Sequence, residues 1–162
     1  MMNTRNVTRL HVLGLVLAVA ASFAAPALAQ ADEKVAAEVL VVLAKEEPGE
    51  IDPALRDLPA LTRPPFNAFK SMELLSRPKL ELTPGKDSEI TLPNGRKLRI
   101  QVVQILPNGR FRVRVSINRP NERDYPPLVV AVASENEPFF VAGQAYQGGT
   151  LVIGVRLSKP AE

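Results

Sequence analysis

No cysteine and no tryptophan occur among the 162 residues, and the single histidine is His11. Without cysteine there is no disulfide and no thiol chemistry, so the fold must hold by packing alone. With histidine confined to position 11, the rest of the chain has no imidazole to exchange a proton near neutral pH. A Ser-His-Asp triad is thereby excluded, and with it the usual zinc, copper and haem ligand sets. Aromatics are scarce as well: beyond residue 29 only Tyr125, Tyr146 and five phenylalanines remain. What survives is carboxylate chemistry, lysine-assisted serine chemistry, and calcium or magnesium held by oxygen. No D-x-[DN]-x-[DN]-G loop and no G-x-S-x-G elbow is present. Gly148-Gly149-Thr150 lacks the lysine and spacing of a phosphate loop. No cofactor and no metal site is expected.

The first 29 residues read as an export signal. Arg5 and Arg9 make a basic start, Val12 to Phe23 is apolar, and Ala27-Leu28-Ala29 follows Pro26. A basic n-region, a short h-region and an A-x-A site describe a peptide removed on secretion. The apolar run falls short of the roughly 20 residues a membrane span needs. Residues 1–29 are therefore expected to be cleaved, leaving one exported domain over 30–162, periplasmic or extracellular, with 30–33 flexible. Those 133 residues suffice for a single core. Loss of Arg5 and Arg9 leaves 18 Lys and Arg against 17 Asp and Glu, so the formal net charge falls from +3 to +1.

What is present is alternation. Phe111, Val113, Val115 and Ile117 interleave with Arg112, Arg114 and Ser116, and Leu98, Ile100 and Val102 interleave with Arg99 and Gln101. A period of two marks a half-buried strand, apolar side inward and arginines to water. Val35, Ala37, Val39, Val41 and Leu43 alternate likewise, and their β-branched content favours a strand there.

The pentapeptide Leu-Pro-Asn-Gly-Arg occurs at Leu92–Arg96 and again at Leu106–Arg110. Asn-Gly is a strong hairpin signal, because both residues tolerate positive φ. A two-residue loop at Asn108-Gly109 sets Leu106 opposite Phe111, Val102 opposite Val115 and Ile100 opposite Ile117, all on one face. The first copy needs an odd loop, wider or bulged, that sets Ile90 opposite Leu98 or Ile100. Both copies read as punctuation between strands, not as a binding repeat.

Further along, Asp52-Pro53 reads as an N-cap and first helical residue of a short helix over Pro53–Leu58. Extended segments are expected at Ser71–Leu75, Lys79–Thr83, Leu128–Ala133, Pro138–Ala142 and Leu151–Leu157, with a polar loop over Asn118–Pro127. Gly148-Gly149 is expected to turn the last hairpin, and Gly154 to mark a bulge or a close backbone approach. Seven or eight short strands predict a mainly β, antiparallel sandwich of Greek-key or immunoglobulin-like type, with one helical insertion near residues 53–58.

Charge is segregated. Between Arg96 and Arg123 eight basic residues face Glu122 alone, whereas between Asp32 and Asp57 eight acidic residues face Lys34, Lys45 and Arg56. Arg99, Arg112 and Arg114 share an outward hairpin face that suits an anionic wall polymer or an acidic envelope protein. Neutralisation of that face within the fold is the bland alternative. Nucleic acid is not expected, since few aromatics interleave with the arginines. Phe139 and Phe140 must point to opposite faces, which makes Phe140 a further contact candidate, and Tyr146, near the turn, is another. The expected role is therefore non-catalytic: an exported sandwich that binds or supports an envelope component, with edge-to-edge self-association as a further possibility. The alternative is a carboxylate-dependent hydrolase of extracellular sugars built on Asp52, Asp57 and the neighbouring Glu46, Glu47 and Glu50.

Overall fold

The computed structural model describes residues 33–119 and 125–160; the expected signal peptide lies outside them. Nine strands and one short helix occur among these residues: β1 (Val35–Lys45), α1 (Pro53–Arg56), β2 (Ser71–Ser76), β3 (Lys79–Leu82), β4 (Asp87–Thr91), β5 (Lys97–Leu106), β6 (Arg110–Ile117), β7 (Pro127–Ser134), β8 (Phe139–Tyr146) and β9 (Gly149–Ser158). They form two antiparallel sheets. The first has the order β2-β1-β9-β8 with β3 also on β1, and the second has the order β4-β5-β6-β7. The mainly β, two-sheet expectation holds.

The strand count is higher than seven or eight because β2 and β3 divide one edge of β1 between them. Met72 and Leu74 lie beside the C-terminal half of β1, Leu80 and Leu82 beside its N-terminal half. Pro78 sits at the break; it has no N–H to donate, but its carbonyl accepts from Val39 N at 2.9 Å.

Between the sheets lies the main core. Val35, Ala37, Val39 and Val41 of β1 meet Leu98, Ile100 and Val102 of β5, Phe111, Val113, Val115 and Ile117 of β6, and Leu151, Ile153, Val155 and Leu157 of β9. A second cluster lies on the outer face of the first sheet, where Leu40, Val42, Ala44 and Val152 pack against Leu55, Leu61, Phe66 and Met72. The chain between β1 and β2 supplies that cover. The single alternating face expected of β1 is thus corrected: the strand is buried on both sides, which is why its sequence is a near-continuous apolar run.

The cover itself is shorter in helix than expected. Asp52 does cap, its Oδ1 accepting from Ala54 N at 2.8 Å, and Pro53 opens the turn. However, α1 stops at Arg56 and not at Leu58, and the chain continues as 3₁₀ turns at Pro59–Thr62 and Phe66–Ala68. Proline at positions 59, 64 and 65 removes the N–H groups a longer α-helix would need.

Two hairpins also depart from expectation. Ile90 pairs with Leu98 as anticipated, across a loop in which Gly95 takes φ 79°. The second copy is not the tight two-residue loop: Leu106 pairs with Arg110, so Pro107, Asn108 and Gly109 all belong to the turn. The register then slides. Val102 faces Val113, Ile100 faces Val115 and Leu98 faces Ile117, two residues away from the expected partners. A bulge between Val102 and Gln104 absorbs the difference, so Leu98, Ile100 and Val102 still point inward, but Ile105 takes the place opposite Phe111 that was expected of Leu106. In the last hairpin the turn is Gln147-Gly148, both at positive φ, while Gly149 is already paired with Tyr146. Gly154 marks neither a bulge nor a neighbouring backbone. A Cβ there would lie 2.5 Å from Cε1 of Phe140, whose ring lies over the glycine.

Candidate functional site

Alternation along β5 and β6 turns Arg99, Gln101, Arg112 and Arg114 to the outer face of the second sheet, as the sequence predicts. The structure then separates the three arginines. Register places Glu89 of β4 directly opposite Arg99. The Arg99 guanidinium donates to Glu89 Oε1 through Nη2 at 2.7 Å and Nε at 3.1 Å, and reaches Asp87 Oδ2 at 3.4 Å. Its Cζ also sits 3.7 Å from the centroid of the Tyr125 ring. The hydrogen bonds from Arg99 hold the Glu89 carboxyl below the usual carboxylate range. Loss of water, followed by the hydrogen bond with Glu89, pushes the Tyr125 hydroxyl up. Arg99 is therefore neutralised inside the fold. The neutralising acids come from β4.

Arg112 and Arg114 are different. Nη1 of Arg112 donates to Gln104 Oε1 and Nη1 of Arg114 to Gln101 Oε1, each at 3.2 Å. Both acceptors are neutral, and both arginines are exposed. Among the described residues no carboxylate pairs with either, so their charge is left facing outward. Beside them on β7 stand Val132, opposite Arg112, and Val130, opposite Arg114. These valines are 53% and 56% exposed. A shallow depression of about 300 Å³ is lined by Asp87, Arg99, Arg114, Ser116, Tyr125 and Val130. Asp87, Glu89 and Tyr125 were not among the residues anticipated for this face. The first two were legible, because setting Ile90 opposite Leu98 already puts Glu89 opposite Arg99.

Phe140 and Tyr146 lie on β8, in the other sheet, and do not join this face. Phe140 packs on the outer cluster, edge-to-face with Phe66 at a centroid distance of 6.0 Å. Phe139 packs on the inter-sheet core, as does Tyr146, whose hydroxyl accepts from Gln147 Nε2 at 3.2 Å. Both phenylalanines are thus engaged in packing, one on each face of the sheet.

The carboxylates near the helix are only partly gathered. A depression of about 440 Å³ is lined by Glu50, Asp52 and Glu73 together with Lys45 and Ser71. Asp52 is engaged as the helix cap, and Asp57 caps the other end of α1, outside the depression. Among the described residues no group of His, Cys, Asp or Glu is placed to hold a metal. No serine was expected in an S-x-x-K context, but Ser76-Arg77-Pro78-Lys79 matches those letters. A helix would bring that serine and lysine one turn apart, but here they flank a break between two strands.

One ion cluster was not foreseen. Glu38 of β1 lies opposite Lys79 of β3 on one side and Arg156 of β9 on the other. Its Oε1 accepts from Arg77 Nε at 2.7 Å and its Oε2 from Arg156 Nη1 at 2.8 Å. The hydrogen bond from Arg77, assisted by the other nearby cations, holds the Glu38 carboxyl below its ordinary range. With this geometry in view, no protein-family model, no curated protein and no solved structure matches the chain.

Proposed function

We propose that the chain is an exported, non-catalytic sandwich protein, periplasmic or extracellular, that binds or supports an anionic component of the cell envelope. Support comes from one observation above the others: Arg112 and Arg114 stand on an exposed sheet face and, among the described residues, have only glutamine as partners. Unneutralised guanidinium groups two residues apart attract carboxylate or phosphate by charge and by hydrogen-bond geometry. The N-terminal signal and the lack of histidine and cysteine beyond it agree with this role. The finer Greek-key or immunoglobulin-like assignment draws support from the adjacency of β1 and β9, while the β4-β5-β6-β7 meander is a feature of up-and-down folds.

Residues 30–162, incubated with envelope extract at low and at moderate salt, test the reading. Retention of an anionic component is expected, weakened by salt and lost in the R112E/R114E variant. Recovery of nothing at either salt sinks it. A carboxylate-dependent hydrolase remains the second reading, favoured by the depression that gathers Glu50, Asp52 and Glu73. Release of sugar from wall polysaccharide, abolished by Asp52→Asn, would establish that reading instead.

A further inference from the structure

Resting on the anionic-partner reading, we propose that the partner is an extended polypeptide segment that adds to β7 as a fifth strand and carries carboxylates at alternate positions. Among the described residues, the stretch Val129–Ser134 of β7 is the sheet edge with the least protection. Asp87 and Glu89 lie on β4, Glu73 on β2, and Lys79 and Glu81 on β3. The β8 edge is broken by an irregularity between Ala142 and Ala145. In contrast, β7 reads PLVVAVAS, with no charge and no glycine; Pro127 and a register irregularity mark only its start, and its pairing with β6 runs unbroken from Val129 to Ser134. Charges, prolines, bulges and breaks are the devices that keep sheet edges from pairing, so the six residues without them are open to another strand.

The side chains say which strand. An added strand lies about 4.8 Å beyond β7, and therefore about 10 Å beyond β6. Val130 and Val132 stand in the intervening row, directly beside Arg114 and Arg112. Arg112 and Arg114 rest on Gln104 and Gln101 of β5, on the other side of β6, and exchange of those neutral partners for carboxylates turns them across the short valines to meet glutamates of the added strand. Arg112 and Arg114 are two residues apart on one face, and carboxylates two residues apart on the incoming strand match them. Main-chain hydrogen bonds to β7 would supply affinity, and the two arginines would fix register and direction. A second copy of β7 fits less well, because it sets valine beside valine and brings no carboxylate to either arginine.

The test uses residues 30–162 with a ten-residue peptide of alternating threonine and glutamate, the same peptide N-methylated along its central six residues, and polyglutamate. The unmodified peptide is expected to bind, to slow amide exchange over residues 129–133, and to lose about tenfold in affinity in the R112Q/R114Q variant. N-methylation should weaken it at least tenfold, since it removes the donors while keeping every charge. Equal binding of methylated peptide and polyglutamate, with no slowing in β7, overturns strand addition but leaves the anionic-partner reading standing. Binding of no peptide and no envelope component at low salt removes both. A dimer in light scattering that V130K/V132K abolishes assigns the edge to a second copy and overturns the proposal.

Discussion

At the scale of single residues, partners decide what a charge does. Arg99, Arg112 and Arg114 look equivalent in the sequence, yet Arg99 has Glu89, Asp87 and Tyr125 around it while the other two have glutamines. Glu38 shows the converse, one carboxylate serving two arginines with its side chain only 14% exposed. Replacing it by glutamine leaves Arg77 and Arg156 without a counter-charge, so Glu38→Gln should lower stability by about 1–3 kcal/mol at neutral pH. Because the folded-state value of this carboxyl is depressed, its contribution is present above the unfolded value and fades as pH falls through the folded one. Urea unfolding at pH 7 and at about pH 3 checks both parts: the variant should be weaker at the first and close to the parent at the second. An equal deficit at both would show that packing, not charge, is what the substitution removes.

At the scale of elements, the repeated pentapeptide shows how far letters determine shape. Both copies turn a hairpin, and both use proline, asparagine and glycine as the loop. Their backbones nevertheless differ: only Gly95 has positive φ in the first, whereas Asn108 and Gly109 both do in the second. Asn94 keeps an ordinary φ and uses its side chain instead, accepting from Arg96 N at 3.2 Å and donating to Gln144 at 3.0 Å. Asn94→Gly should therefore cost about 1 kcal/mol through the lost hydrogen bonds. Asn108→Gly, where the residue serves its left-handed backbone, should stay within about 0.5 kcal/mol of the parent. Thermal unfolding of the two variants under one buffer separates them, and equal losses would mean the turns are equivalent after all. The slide in register that accompanies the second turn was not visible in the letters, which allow a tight loop with Leu106 in phase. Leu98, Ile100 and Val102 share their parity with Leu106, but the structure turns Ile105 inward, a change of phase that requires an extra residue on β5. Val103 is that residue, and it is 38% exposed.

For the whole molecule, the first sheet is buried on both sides and the second on one. That asymmetry leaves the outer face of the second sheet as the broad unlidded sheet surface among the described residues. It also makes the connection from Asp52 to Ala68 a structural cover. Leu55, on a helix of only four residues, is 1% exposed and packs with Leu40, Val42 and Val152. Leu55→Ala should consequently cost about 2–5 kcal/mol, the range of a core truncation and not of a surface loop. Equilibrium unfolding measures it, and a loss below about 1 kcal/mol would mean that the cover is dispensable.

Alternation by itself determined the inward aim of Leu98, Ile100, Val102, Phe111, Val113, Val115 and Ile117 and the outward aim of the three arginines, and Asp52-Pro53 determined the cap. These follow from local rules, since a side chain's face depends on its parity and a cap on one side chain and the N–H two residues on, whereas the same five letters close two different turns. Tertiary structure alone decided the rest: the double burial of β1, the engagement of Phe140 over Gly154, and the meeting of Glu38 with Arg77 and Arg156. Each of those depends on which segment comes to lie beside which, and that is set by the packing of distant apolar faces, a free energy no local window of sequence contains.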